Sequence, residues 1–250
     1  MCLWYVFAAP DNPSCVKRLL TKATQALTYQ SKYLHGGGDI DRSQIENELA
    51  ALAKKNKVTL NFIHPSDVEV RDWVRWKCQF GCKGFAKHLS CPPYVPGPPE
   101  TRALLQEYEA AYVVHFKGIP GIASIDPSSI PENWHPLLED LILWIGQTMY
   151  ALEQHAFYQG YYKALAFAAY PCAYCEECVA EASRGIVDTS LKRDCPHAEW
   201  VRTSMEAVGI DVFATVSKLN LPIEVIPCEN YEYGKIQHTD LDSYGLLLLE

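Results

Sequence analysis

Seven of the ten cysteines in this 250-residue chain fall into two spaced groups. Cys78, Cys82 and Cys91 form the first, and Cys91 runs straight into Pro92 and Pro93. Cys172, Cys175 and Cys178 form the second, in the run CAYCEEC, followed at a distance by Cys195 and Pro196. Thiolates at such spacing are ligands for soft metal ions and for iron–sulfur clusters. The chain therefore speaks more directly about a cofactor than about a substrate.

In the second group, Cys-x2-Cys-x2-Cys brings three thiolates from one short loop toward one centre, and Cys195 can supply a fourth. The arrangement is similar to the ferredoxin-type run, in which a proline follows the remote cysteine. It departs from that run because 16 residues separate Cys178 from Cys195, where the bacterial pattern has three. Zinc is the rival, since it also takes four-cysteine sites, but those use two separated Cys-x2-Cys knuckles. Cysteines at i, i+3 and i+6 favour a 4Fe-4S cluster.

The first group offers three thiolates and no nearby fourth cysteine. A cluster held by three thiolates leaves one iron open to a small molecule or to a non-cysteine ligand. The radical-SAM frame Cys-x3-Cys-x2-Cys is absent, because Cys91 follows Cys82 after eight residues. His88 could complete a set of three cysteines and one histidine, although a histidine in a polar loop is more commonly a solvated side chain. Lys83 and Lys87 read as surface lysines that could also offset cluster charge. A single metal site, with the first group partly a structural hairpin, is the plainer alternative. Cys2, Cys15 and Cys228 stand apart, and Cys228 reads as a small buried apolar residue.

The elements that must position these groups are legible in outline. Asp11 to Tyr33 is patterned as a surface helix, and His35-Gly36-Gly37-Gly38 ends it as a flexible linker. Arg42 to Lys55 places Ile45, Leu49 and Leu52 on one helical face. Val58 to His64 reads as a strand. Val68 to Trp76 alternates apolar and polar residues as a half-buried strand would, which predicts that the first cysteine group sits in a loop after a strand. Cys91 to Pro99 is too rich in proline for helix or central strand and is expected to be a rigid extended loop.

Further helices are expected over Glu100 to Tyr108, Leu137 to Tyr158 and, broken at Gly209, Ser204 to Leu219. Strands are expected over Ala111 to Lys117, Tyr162 to Ala169 and Ile223 to Ile226, with a closing hairpin region formed by Tyr231 and Leu246 to Leu249. The turn-rich stretch Gly118 to Pro136 is a candidate cover for a site. Strands separated by helices make an α/β or α+β domain, a sheet with flanking helices whose two cysteine loops lie at strand ends. Residues 1–41 read as an N-terminal extension and 42–250 as a single metal- or iron–sulfur-binding domain.

Composition narrows the class. With 48% hydrophobic and 21% charged residues the chain resembles an ordinary globular protein, long enough to bury a core without disulfide staples. A net charge of −8 and the lack of a dense Lys/Arg run argue against nucleic acid as a partner. The apolar run Leu3 to Ala9 is too short for a membrane span, and charged residues interrupt Leu137 to Ala169. Ten cysteines without an export signal point to a reducing compartment, the cytoplasm, where thiols persist for metal binding.

From about Val58 onward the motifs resemble those of DUF2284, an uncharacterised family of predicted metal-binding proteins. The stretches that carry the resemblance are CQFGCKGFAKHLSCPPYVP, GYYKALAFAAYPCAYCEEC and CPHAEWVRTSMEAVGIDVFATV. Ala198 and Val201 depart from the family's pattern, which has proline at both, and this touches loop rigidity rather than ligation. The resemblance implies that Cys78, Cys82, Cys91, Cys172, Cys175, Cys178 and Cys195 are the metal-binding set, and it implies no settled reaction. Within the third stretch, Arg202 could pair with an anionic substrate, with cluster charge or in a structural salt bridge, and Asp211 reads as a helix cap.

The leading expectation is an iron–sulfur protein with two 4Fe-4S clusters. The four-cysteine cluster would pass electrons, and the three-cysteine cluster would bind or reduce a small molecule, as in an oxidoreductase. A redox partner protein belongs to this reading. The alternatives are a non-enzymatic electron carrier or accessory protein of a redox system, and a structural zinc protein whose metal contributes to folding.

Overall fold

The structure, a computed structural model, describes residues 42–118, 135–183, 186–224 and 242–250. The N-terminal extension with its expected helix and glycine linker, Cys2, Cys15, Tyr231 and Cys228 lie outside the described residues, as does nearly all of the turn-rich stretch 118–136.

Four strands form one antiparallel sheet in the order β1 (Val58–Ile63), β2 (Ala110–Lys117), β4 (Asp242–Leu249), β3 (Leu165–Phe167). Every neighbouring pair is antiparallel, so of the two classes expected this is α+β. The helices among the described residues are α1 (Arg42–Lys55), α2 (Asp72–Gly81), α3 (Pro98–Leu105), α4 (His135–Tyr158) and α5 (Val212–Ser217). None of the described helices is long and apolar enough to cross a membrane.

Strand alternation divides the core in two. Val114, Phe116, Leu247 and Leu249 face α1 and α4, which present Ile45, Leu49 and Ala53 and, from α4, Leu141, Ile145, Met149, Leu152 and Ala156 at helical spacing. Ala111, Val113, Leu246 and Leu248 face the opposite way, onto Leu105, Met205, Val208, Ile210 and Val216. Because β4 is covered on both faces, it reads as a continuous apolar run and not as an alternating one. Gly245 is required there: a Cβ would lie 2.7 Å from the Met149 sulfur and 2.8 Å from the Phe167 carbonyl oxygen.

Several expectations are corrected. Val68 to Trp76 is not a strand. Val70 makes one isolated bridge to Ile210, and α2 begins at Asp72. The alternating pattern misled because Trp73 and Trp76 counted as core residues, whereas both face outward and Val74 alone in α2 is buried. The first cysteine group therefore begins on a helix and not in a loop after a strand. Cys91 to Pro99 is not extended throughout: turns lead through the cis Pro92–Pro93 bond, and α3 starts at Pro98, where a missing amide proton costs no helical bond.

The expected strand Tyr162 to Ala169 shortens to Leu165–Phe167. Residues 204–219 resolve into a 3₁₀ turn, Glu206–Val208, and α5, with the expected break at Gly209. Leu221 to Glu224 form no strand, while Val225 and Ile226 lie outside the described residues. Leu246 to Leu249 belong to β4, which lies in the sheet between β2 and β3.

Candidate metal centre

Helix α2 places the first group. Val74 and Cys78 are four residues apart and share the inward face, with Arg75 beside them. Cys82 caps the helix, its amide donating to the Cys78 carbonyl at 3.4 Å, and its thiol is exposed. The chain then folds back in a run of tight turns: Phe85 N bonds Cys82 O at 3.3 Å, Ala86 adopts φ 59°, and Cys91 N bonds His88 O at 2.9 Å. A non-glycine residue at positive φ costs roughly 1 kcal/mol or more. The turns return Cys91 to the group with only 6% exposure.

Burial governs how these thiols ionise. It pushes Cys91 up to about 12; a hydrogen bond from Ser90 works against it, and the neighbouring Cys82, Cys78 and Cys172 add to it. Cys78 is raised chiefly by burial and by Cys82, against the pull of the Arg75 guanidinium. His88 is partly buried, and burial lowers its pKa while Glu181 opposes the shift.

The second group follows strand β3, as its expected place at a strand end requires. Tyr170, at φ 64°, and Pro171 turn the chain into Cys172. Cys172, Cys178 and Cys195 are partly buried and Cys175 is exposed. Cys172 is pushed up to about 11, first by burial and then, past a backbone hydrogen bond that lowers it, by Cys178, Cys195 and Cys175. Cys175 is likewise raised by burial, by Cys195 and by Cys178. Cys195 is thus brought into the neighbourhood of CAYCEEC despite its distance along the chain. It arrives at the end of a 3₁₀ turn, Thr189–Asp194, whose start is capped by Asp188 accepting from Ser190 N at 2.8 Å. Tyr174, His197 and Trp200 stack alongside, with ring centroids 5.4 and 5.7 Å apart along the series.

The two groups are neighbours, which the sequence did not announce. Cys172 N donates to Ser90 Oγ at 3.2 Å, and the Ser90 carbonyl accepts from Thr203 Oγ1 at 2.8 Å. Gly84 lies against Pro171, where a Cβ would come within 3.2 Å of the proline ring and 3.6 Å of the Cys82 sulfur. Lys87 pairs with Glu181 at 3.2 Å. Tyr94 donates to the Ala180 carbonyl at 3.2 Å and bonds Ser183 Oγ. Leu89, Tyr94 and Ala180 form a small apolar core against which Cys178, Val179, Leu191 and Cys195 pack. Both cysteine loops are therefore folded around one shared set of contacts.

Anchors on either side hold this unit to the sheet. Arg202 makes a bidentate pair with Glu153 on α4, at 2.7 and 2.5 Å, and Glu153 also accepts the β3 amide of Ala166 at 2.6 Å. Of the roles open to Arg202, the structure places it in an ion pair with the scaffold. Asp211 caps α5 through Ala214 N at 3.0 Å, as expected. On the other side, Arg75 donates to the Ala207 carbonyl, and the Cys78 sulfur lies 4.0 Å from the Glu206 carbonyl oxygen.

Arg75 and Ser90 are the residues that sequence reasoning missed. Arg75 stands three before Cys78, a spacing that shares a face on a helix but not on the strand expected there. Ser90, adjacent to Cys91, carried no signal without knowledge of its partner.

As placed, the described residues contain no set of three or more His, Cys, Asp or Glu side chains converged on a single ion. The donor chemistry nonetheless fits a soft metal or a cluster. The candidate donors are thiols, and burial raises the pKa of Cys78, Cys91 and Cys172. A bound cation reverses that balance and deprotonates a coordinating thiol outright.

The family model described as "Predicted metal-binding protein (DUF2284)" matches residues 61–249, and the chain belongs to this family. No curated protein and no solved structure matches it. A predicted metal-binding domain is thus the class that the family defines for this protein.

Proposed function

We propose that this protein is an iron–sulfur protein of a reducing compartment, the cytoplasm, and that it carries two 4Fe-4S clusters. Cys172, Cys175, Cys178 and Cys195 hold one cluster, closed and suited to passing electrons; Cys78, Cys82 and Cys91 hold the other, with one iron open to a small molecule. The observation that carries this reading is that Leu89 and Tyr94, which flank Cys91, share one small core with Ala180, Cys178 and Cys195, and that Cys172 N bonds Ser90 beside Cys91. The i, i+3, i+6 spacing with a remote Cys-Pro supports a cluster over a zinc ion.

When bound, such clusters supply one-electron transfer, and an open iron supplies a site for a small ligand. The chain's own residues do the rest. Arg75 places a positive charge beside Cys78 and Cys91 and so favours their thiolate forms. The contacts between the two loops hold the cysteine groups as neighbours.

Anaerobic purification with iron, sulfide and zinc analysis and EPR tests the reading. A brown protein with close to eight irons and eight sulfides per chain is expected. Zinc as the only metal would overturn it. A single cluster lost on Cys172→Ala but retained in Cys91→Ser would assign the first group a structural role instead. Ligand-induced change in one EPR signal is expected for the open iron. Two spectra indifferent to small ligands would make the protein an electron carrier.

A further inference from the structure

Helix α2 turns an unusual face to solvent. Trp73, Trp76 and Phe80, at i, i+3 and i+7, form one stripe, and they are 46%, 67% and 81% exposed. Large aromatic side chains normally bury most of their surface, and three in a row on the outer face of one helix cost solubility without contributing to the core. The stripe leads directly to Cys82, the exposed thiol at the C-terminal end of the same helix.

The charges around the stripe are positive. Lys77 projects within it, its ammonium 4.9 Å from the Trp73 ring centroid, and Lys83 follows Cys82 and is exposed. Asp72, the carboxylate at the far end, is held by Arg102 at 3.1 Å. A cationic and aromatic patch stands out on a chain with net charge −8. Its complement is a surface with an apolar centre and an acidic rim.

Size decides what kind of association this is. Three aromatic side chains at these exposures present roughly 300–500 Å². That is well below the ~800 Å² per partner of a stable complex and suits the small interfaces of transient electron-transfer encounters. A permanent dimer of this chain would need a larger face.

We infer that the outer face of α2, made by Trp73, Trp76, Phe80, Lys77 and Lys83, is the docking surface for an acidic one-electron carrier protein, placed so that the carrier reaches the cysteine centre beside Cys82. The electron step rests on the iron–sulfur reading above. In it the reduced carrier loses one electron and the centre of this chain gains it, with no bond made or broken. Lysines steer the encounter through long-range attraction, and the aromatic stripe holds it once water is expelled.

The test uses the full-length protein, purified anaerobically, and an acidic plant-type 2Fe-2S ferredoxin as the probe. Calorimetric titration with the oxidised ferredoxin is expected to give salt-sensitive binding. W76A/F80A and K77E/K83E are each expected to weaken it at least tenfold, while circular dichroism stays that of the parent. In stopped flow, reduction by the ferredoxin is expected to slow by a similar factor in both variants, and reduction by dithionite, which needs no docking face, to stay unchanged. No binding by the parent protein, or equal binding by both variants, overturns the proposal. A concentration-dependent dimer in sedimentation that W76A/F80A abolishes also overturns it, by giving the face to a second copy. Because the titration needs no cluster in this chain, a protein found without iron would end the function proposed above while leaving the docking surface standing or falling on the binding result.

Discussion

The two cysteine regions reach the same neighbourhood by different means. Residues 78–91 start on a regular helix, and a run of tight turns returns Cys91 to Cys78 and Cys82. The described residues of 172–195 use almost no regular structure beyond short 3₁₀ turns, and are braced by the Tyr174, His197 and Trp200 rings and by the Arg202–Glu153 pair behind them. A helix positions ligands through its own hydrogen bonds, whereas an irregular loop must take its rigidity from side chains. The first region can therefore leave aromatic residues exposed on its outer face, while the second uses its aromatic residues for support.

On the proposed two-cluster reading, the largest expected effect separates the regions by their metal. Cys172→Ala should empty the second centre and leave the first, and Cys91→Ser should do the reverse, each removing one of two EPR signals and about half the iron. Loss of both signals from either variant would show that the regions load as one unit and would erase the distinction drawn here.

Next come the anchors. Removing one partner of a largely buried ion pair leaves the other uncompensated, so Arg202→Leu should destabilise the protein by about 3 kcal/mol in denaturant unfolding. Arg75→Leu removes a single charged hydrogen bond to Ala207 and should cost about 2 kcal/mol. If the order is reversed, the helical region is the more dependent on its anchor and the comparison above is wrong.

Ser90 touches both regions, which makes Ser90→Ala a smaller but more specific probe. Loss of its bond to Cys172 N should cost about 1 kcal/mol. The same hydroxyl bonds Cys91 and favours the thiolate, so its removal should raise the Cys91 pKa further. Since metal takes the deprotonated thiol, anaerobic reconstitution of the first centre should then need a higher pH than in the parent.

The smallest effect concerns the approach to α2. Glu69 is held below its usual 4.5, chiefly by a hydrogen bond from Lys218 at 2.7 Å, with Arg71 also contributing. Its bonds act fully above the unfolded value and are lost as acid protonates it in the folded state. Stability should therefore fall as pH drops below about 4.5, and Glu69→Gln should flatten that decline by no more than about 0.5 kcal/mol, since the pair is partly solvated.

Much of the scaffold was legible because its periodicity is strong. The α1 stripe of Ile45 and Leu49 and the long helix ending at Tyr158 repeat at helical spacing and were recognised with nearly the observed bounds. The error that matters most for the site, the strand expected over Val68 to Trp76, has a plain cause. Periodicity assumes that apolar residues point inward, and on α2 the two tryptophans and Phe80 point outward, so this helix carries a strand-like pattern. The seven cysteines were legible by type and spacing alone. Arg75 was not, because its proximity to Cys78 depends on the helix that the pattern disguised.

The sequence by itself determined the candidate donors: their sulfur chemistry and their grouping into three and four along the chain, since these are properties of residue types and of local spacing. Only the tertiary structure decided that the two groups are neighbours, that Ser90 links them, that Arg75 stands beside one and Arg202 behind the other, and that the α2 aromatic residues are left in water. The physical reason is range. Ligand spacing within a loop is set over a few residues of backbone, whereas Ser90 meets Cys172 and Arg202 meets Glu153 across long stretches of chain, through packing that no local pattern encodes.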